Sequence, residues 1–285
     1  MLQTRLWMGA ILIALTVGVL VIDQQLAPWF PFLLVLIGGL AVASTVELLH
    51  LLKPAIRPSG WLCFVGIAAV LCANWMPHQS GWASGVSPWQ LILGVFAAFV
   101  LLTFLVEMAT FREAGNSVMR MALAVWLLGY LGLLPSFLAQ MRWFSTPERS
   151  VAALALTVFV SKSCDIGAYF TGRLLGRHKM TPVLSPKKTW EGAAGGLATA
   201  VLVAILLDHF GPAPLLHGNI ALEIGFGLTV GIAGMLGDLA ESLIKRDCQQ
   251  KDASQVIPGF GGVLDVVDAI LFAAPVSYLW FQTLC

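Results

Sequence analysis

Charge is scarce in this chain. Of 285 residues, 11% are Asp, Glu, Lys or Arg, whereas 58% are hydrophobic, and the mean hydropathy is +0.86. That balance excludes one or two soluble domains, the ordinary reading of such a length, and places the chain in the membrane class. The five cysteines (Cys63, Cys72, Cys164, Cys248 and Cys285) show no CxxC and no histidine-paired spacing, which excludes a disulfide framework and a zinc site. No small-x-small cleavage site follows the first apolar run, Leu6 to Ile22, and the run is longer than a signal-peptide core. It therefore reads as a spanning helix. Internal repeats, low-complexity tracts and a soluble appendage are absent as well. A net charge of +1 says nothing about partners; the placement of the charges does.

A bilayer core of roughly 30 Å takes about 20 apolar residues per helix. Nine segments meet that requirement: 5–23, 28–51, 60–77, 88–108, 118–140, 150–171, 191–209, 219–243 and 262–284. The expected fold is all-α and polytopic, with an N-terminal region of five helices over 1–149 and a C-terminal region of four over 150–285. The seventh segment, GAAGGLATAVLVAILL, is rich in small residues that let helices approach closely, so it is expected inside the bundle. Orientation follows from Lys and Arg in the connections. With the N-terminus inside, the inner side collects Arg5, Lys53, Arg57, Arg112, Arg120, Arg173, Arg177, Lys179, Lys187, Lys188, Lys245, Arg246 and Lys251. The outer side holds only Arg142 and Arg149. This bias predicts a cytoplasmic N-terminus and a C-terminus outside; the expected location is the inner, cytoplasmic cell membrane.

Against that background the intramembrane acids stand out. A carboxylate at a helix centre costs about 2.5–3.5 kcal/mol on insertion scales, so acids there point to function. Asp165 lies toward the inner end of the sixth segment, Asp238 and Glu241 toward that of the eighth, and Asp265 and Asp268 at the inner start of the ninth. Asp238 and Glu241 share one helix face by their i,i+3 spacing, as do Asp265 and Asp268. Asp165 and Asp238 sit near helix C-termini, where the dipole disfavours anions. Lys162, three residues before Asp165, neutralises one charge of the set. A divalent cation would neutralise the rest, and oxygen ligands alone select Mg²⁺ or a similar hard ion.

Beside the acids runs the longest basic connection, GRLLGRHKMTPVLSPKKTWEG over 172–192. Charges placed only for topology or headgroup contact tolerate any order. Here they alternate with Gly172, Gly176, Pro182 and Pro186, which points to a shaped loop. It feeds the start of the seventh segment, where free N–H groups and flanking lysines make a phosphate cradle. Carboxylates for a cation, basic groups for phosphates and an intramembrane position together indicate metal-assisted phosphoryl or nucleotidyl transfer to a lipid. An ion-coupled transporter also buries acids, yet its sites sit near the midplane and often in inverted repeats, whereas these acids are one-sided.

These residues resemble the phosphatidate cytidylyltransferases, the CDP-diacylglycerol synthases. The family pattern S-x-x-K-R-x4-K-D is met by Ser242, Lys245, Arg246, Lys251 and Asp252. Pro258, Gly259, Gly261, Gly262, Leu264, Asp265 and Asp268 meet the P-G-H-G-G and L-D-R-x-D patterns that follow. Upstream, Asp165, Ala168, Tyr169, Gly172 and Arg173 fit D-x-x-A-Y-x-x-G-[RK], and Ser185, Pro186, Lys188 and Thr189 fit S-P-x-K-T. The likeness covers about 162–285. Two positions depart from it: Phe260 stands where the family has His, and Val266 where Arg follows the first Asp.

The resemblance implies transfer of the cytidylyl group from CTP to phosphatidate drawn from the inner leaflet, giving CDP-diacylglycerol and pyrophosphate. It implies Mg²⁺, alone or with a second cation, held by Asp238, Asp265, Asp268 and Asp165. Asp238, Asp265, Asp268 and Lys188 are then the catalytic groups. Arg173, Ser185, Lys188, Thr189, Lys245, Arg246, Lys251, Gly261 and Gly262 are the substrate-binding groups. Gly261 and Gly262 either let backbone approach a ligand or make a plain turn into the last segment. A homodimer is implied too, with CTP and membrane lipid as partners and no nucleic acid. The alternative within enzymes is a CTP-dependent lipid kinase, or a cytidylyltransferase for another lipid phosphate.

Overall fold

Helices form where the apolar runs lie: α1 (Leu2–Gln24), α2 (Pro31–Leu51), α3 (Gly60–Ala73), α4 (Pro88–Thr110), α5 (Ser117–Leu128), α6 (Leu134–Gln140), α7 (Pro147–Leu175), α8 (Trp190–His209), α9 (Ile220–Asp247) and α10 (Leu264–Leu284). The structure is a computed structural model that describes residues 2–79, 85–250, 253–254, 256–257 and 261–284. Among the described residues, eight helical stretches are long and apolar enough to cross a membrane, which bears out the polytopic all-α reading. The expected first span is helical, and its apolar stretch, Gly9–Gln24, is shorter than the other eight. α5 and α6 form a single crossing joined by a π turn at Gly129–Leu133. Pro135 lies just beyond it, has no N–H to continue an ordinary ladder, and is accommodated by the widened turn.

Helix starts follow local chemistry. Ser87 and Gln90 form a reciprocal capping box at α4, and the Thr146, Thr189 and Asn219 side chains accept backbone N–H bonds at the starts of α7, α8 and α9. Each satisfies donors that a helix leaves unpaired at its first turn. Outward-facing side chains such as Val35, Leu101, Val118, Leu202 and Leu236 are apolar and exposed, the pattern of a surface meant for hydrocarbon.

Packing divides the chain into two units, Met1–Ala139 with Asp252–Leu264, and Gln140–Lys251 with Asp265–Cys285. In the first, α3 packs on α2, α4 and α5, with Ile67, Val70, Ile92, Leu127 and Leu128 fully buried. The Asn74 amide donates to Ser136 Oγ at 2.9 Å inside this core.

In the second unit α7, α8 and α9 pack on one another. A Cβ on Gly167 would run into Thr199, and one on Gly195 into Thr171, so α7 and α8 approach more closely than larger residues allow. The structure corrects the expectation that this Gly- and Ala-rich helix lies inside the bundle. Its buried residues are Gly192, Gly196, Ala200, Ala204 and Asp208, while Leu202 and Leu206 are exposed. Four-residue spacing gathers the small residues into a single ridge, and a ridge needs only one buried face. α10 joins through Phe281, which stacks on Phe226 with ring centroids 5.2 Å apart.

Candidate active site

The basic connection folds as an antiparallel hairpin, β1 (Lys179–Thr181) with β2 (Ser185–Thr189), rather than as an open loop. Two side chains fasten it. Glu191, in the first turn of α8, accepts backbone N–H bonds from Arg177 at 3.1 Å and His178 at 3.2 Å, and pairs with the His178 ring at 2.5 Å. Arg246, in the last turn of α9, donates to the Leu184 carbonyl at 3.3 Å. Thr189 is buried and accepts from the Gly192 N–H at 3.1 Å, which caps α8.

The acids lie below the helix ends. Asp165 is ten residues short of the end of α7 and Asp238 nine short of the end of α9, while Asp268 is four residues into α10. At 1.5 Å per residue these are distances of about 15, 14 and 6 Å. Gly237 makes the meeting of α9 and α10 possible, since a Cβ there would collide with the backbone of Asp268 and Ala269.

Three lysines hold the five carboxylates. Lys162 Nζ lies 3.4 Å from Asp165 and 3.2 Å from Asp268, bridging α7 to α10. Lys188, from β2, stands 2.6 Å from Asp238, a charge contact without hydrogen-bond alignment. Lys245 contacts Glu241 at 2.8 Å and Asp265 at 2.5 Å. With every group ionised, two negative charges remain over. Carboxylate oxygens of Asp238, Glu241 and Asp268 all lie within 4.8 Å of one another. Glu241 Oε1 is buried with no hydrogen-bond partner.

This donor set fits a hard divalent cation. It is all oxygen, and one buried oxygen lacks a donor. Oxygens around Mg²⁺ stand about 3 Å apart when adjacent and about 4 Å when opposite, so small side-chain rotations would close the triad.

The structure brings together some of the residues named from sequence and distributes others. Asp165, Asp238 and Asp268 share the lysine-bridged cluster, and Asp265 stands with Lys245. Lys245 departs from its expected place on substrate phosphate: it is buried, because its i,i+4 partner Glu241 and the first turn of α10 enclose its ammonium. Thr189 likewise serves its own helix as a cap. Ser185 is half-buried in β2, and Arg173 is exposed, donating to Tyr169 Oη at 3.1 Å. Gly261 and Gly262 belong to the first unit. There Gly261, at φ 110°, pairs with Ile257, and Gly262 lies against the Glu47 carboxylate. Lys251 lies outside the described residues, as do Asp252, Pro258, Gly259 and Phe260. Val266 is half-buried in the first turn of α10.

Sequence reasoning left Glu241 out of the cation set and did not see Lys162 reach Asp268 or Glu191 hold the hairpin. Glu241 carried a usable signal, its i,i+3 spacing from Asp238 on one face. The Lys162–Asp268 pair spans 106 positions and carried none.

Comparison with known proteins identifies the family. A profile described as "Cytidylyltransferase family" matches residues 3–284. The chain is 45% identical over 138 residues to a phosphatidate cytidylyltransferase of Haemophilus influenzae, a stretch that spans 46% of either chain. It is 31% identical over 218 residues to one of Staphylococcus epidermidis, covering 76% of this chain and 78% of the relative. A Staphylococcus aureus relative of the same name is 26% identical over 244 residues, covering 85% and 87%.

Proposed function

The chain belongs to the cytidylyltransferase family, and we infer from that membership and from its site that this multi-pass membrane protein joins CTP and phosphatidate to give CDP-diacylglycerol. The observation that carries the reading is the convergence of Asp238, Glu241 and Asp268 oxygens within 4.8 Å, reached by Lys188 from the basic hairpin. Pyrophosphate is the second product. A phosphate oxygen of phosphatidate attacks the α-phosphorus of CTP, the bond from that phosphorus to the bridging oxygen breaks, and pyrophosphate leaves with the electron pair. A phosphomonoester with its second pKa near about 6 is largely ionised at neutral pH, so no side chain has to remove a proton.

What the protein supplies is position and charge. Asp238, Glu241 and Asp268 would hold Mg²⁺, with Asp165 and Asp265 beside them. When bound, the cation neutralises phosphate charge at the reacting centre. Lys188 stands on an acid of the triad and is placed to exchange that contact for a phosphate. Arg173 is exposed near the end of α7 and Arg246 in the last turn of α9, where a soluble nucleotide arrives; the lipid enters sideways. This arrangement suits an inner-leaflet site in the cytoplasmic membrane, with the N-terminus inside.

The test uses protein purified in detergent with phosphatidate and CTP labelled at either the α- or the γ-phosphate. Mg²⁺-dependent transfer of the α-label to lipid, with release of pyrophosphate, is the expected result. Transfer of the γ-label instead identifies a kinase, and no turnover with any lipid phosphate defeats the enzymatic reading. Light scattering on the same sample should give twice the protomer mass, in line with a homodimer. Topology is checked separately. An impermeant thiol reagent should label half-buried Cys248 only from the cytoplasmic side; labelling from the opposite side reverses the proposed orientation.

A further inference from the structure

Glu47 lies in the last turns of α2, in the run STVELLHL, and is buried. None of the catalytic motifs includes it. A lone carboxylate at this depth is unfavourable unless something compensates it, and three donors do. The Ser254 hydroxyl donates to Glu47 Oε1 at 2.6 Å, the Val263 N–H to Oε1 at 2.8 Å, and the Leu264 N–H to Oε2 at 2.9 Å. Val263 and Leu264 supply backbone donors at the start of α10, which the first turn of a helix cannot satisfy internally. Glu47 therefore caps α10 from more than 200 positions away in sequence. A negative charge at a helix N-terminus is favoured by the dipole as well as by the hydrogen bonds.

The surrounding backbone is shaped for this contact. Gly262 is buried, and a Cβ on it would stand 2.6–2.9 Å from the Glu47 carboxylate atoms, so a side chain there would displace the carboxylate from its present place. Gly261 turns the chain at φ 110° and exchanges two backbone hydrogen bonds with Ile257, at 2.8 and 3.0 Å. The glycine pair thus serves an internal carboxylate. The next residue after the capped Leu264 is Asp265, and Asp268 follows three positions on. Both follow, along the same helix, the turn that Glu47 holds.

We propose that Glu47 is a positioning residue for the reaction: by clamping Ser254 and the first backbone amides of α10, it sets the register of the helix that carries Asp265 and Asp268. The assignment rests on the cytidylyl-transfer reading for its kinetic consequence and on the clamp alone for its structural one.

The experiment therefore has two arms, both on the full chain in lipid nanodiscs, with Glu47→Ala, Glu47→Gln and Glu47→Asp. Amide hydrogen exchange over 261–268 should quicken by about tenfold or more in Glu47→Ala, because local opening becomes easier when the caps are lost. Glu47→Gln keeps one acceptor oxygen and should fall between Glu47→Ala and wild type. Glu47→Asp keeps both oxygens and should recover most of the protection. In the kinetic arm, kcat per folded molecule should fall by about tenfold to a hundredfold in Glu47→Ala, the size expected when reacting groups are misplaced by an ångström. KM for CTP should stay within about twofold. A capping role without catalytic consequence would lower the folded fraction and leave kcat per folded molecule unchanged, which overturns the proposal. Unchanged exchange in Glu47→Ala overturns it too. A wild-type protein without turnover defeats the transfer reading instead, and the exchange arm still decides whether the clamp exists.

Discussion

Asp238→Asn should leave a protein that inserts and folds yet turns over at about one hundredth to one thousandth of the wild-type rate or less, the loss typical of removing one preorganised electrostatic group. The substitution conserves volume and one acceptor oxygen, and Asp238 is only half-buried, so packing of α9 is not the target. What changes is charge. Asp238 supplies one of three oxygens that converge within 4.8 Å, and it anchors Lys188 at 2.6 Å. Without it the cluster loses one formal negative charge, and the lysine loses its carboxylate contact. Turnover of α-labelled CTP, together with unfolding in denaturing detergent, separates the two effects. A rate within twofold of wild type, at unchanged stability, would remove Asp238 from the machinery.

Lys245→Met should show the opposite signature, a large loss of stability. The lysine ammonium is nearly enclosed, and it contacts Glu241 at 2.8 Å and Asp265 at 2.5 Å. Methionine fills a similar volume but leaves both carboxylates without their cation. Breaking a buried pair by deleting one partner destabilises by about 3–5 kcal/mol. Because two acids face the same ammonium, the upper part of that range is expected. The double variant Lys245→Met/Glu241→Gln should recover a substantial part of the loss, since one of the abandoned charges is then gone and the two effects are coupled rather than additive. Reversible unfolding in mixed detergent micelles measures both. A single-variant loss below about 1 kcal/mol, the value of an exposed pair, would show that solvent or lipid headgroups reach the cluster.

These two lysines illustrate how far the sequence carries. Lys188 and Lys245 both sit in motif positions that suggest phosphate binding, and no one-dimensional feature distinguishes them. In the folded chain Lys188 reaches Asp238 from a strand and stays accessible, whereas Lys245 faces inward from α9 against α10. The glycines behave alike. Gly261 and Gly262 read equally well as a ligand approach or a turn, and the fold gives them Ile257 and Glu47 as neighbours. Glu47 itself was visible, a lone acid within an apolar run, but its meaning was not.

The helical class and the approximate places of the apolar segments follow from composition and local order alone; of the nine segments expected, eight are long and apolar enough among the described residues. The bilayer demands long internally bonded helices, and Pro, Ser, Thr and Asn mark where α2, α4, α7, α8 and α9 begin. Local spacing also places Asp238 with Glu241, and Asp265 with Asp268, on single helix faces, because a helix repeats every 3.6 residues whatever surrounds it. The tertiary structure decided the rest: that Lys162 joins Asp165 to Asp268, that Glu241 rather than Asp265 completes the oxygen triad, that the small-residue helix buries one ridge only, and that α10 is capped from α2. Each of these depends on which faces of distant helices meet. That choice is made by packing and charge pairing between segments far apart in sequence, and no local pattern encodes it.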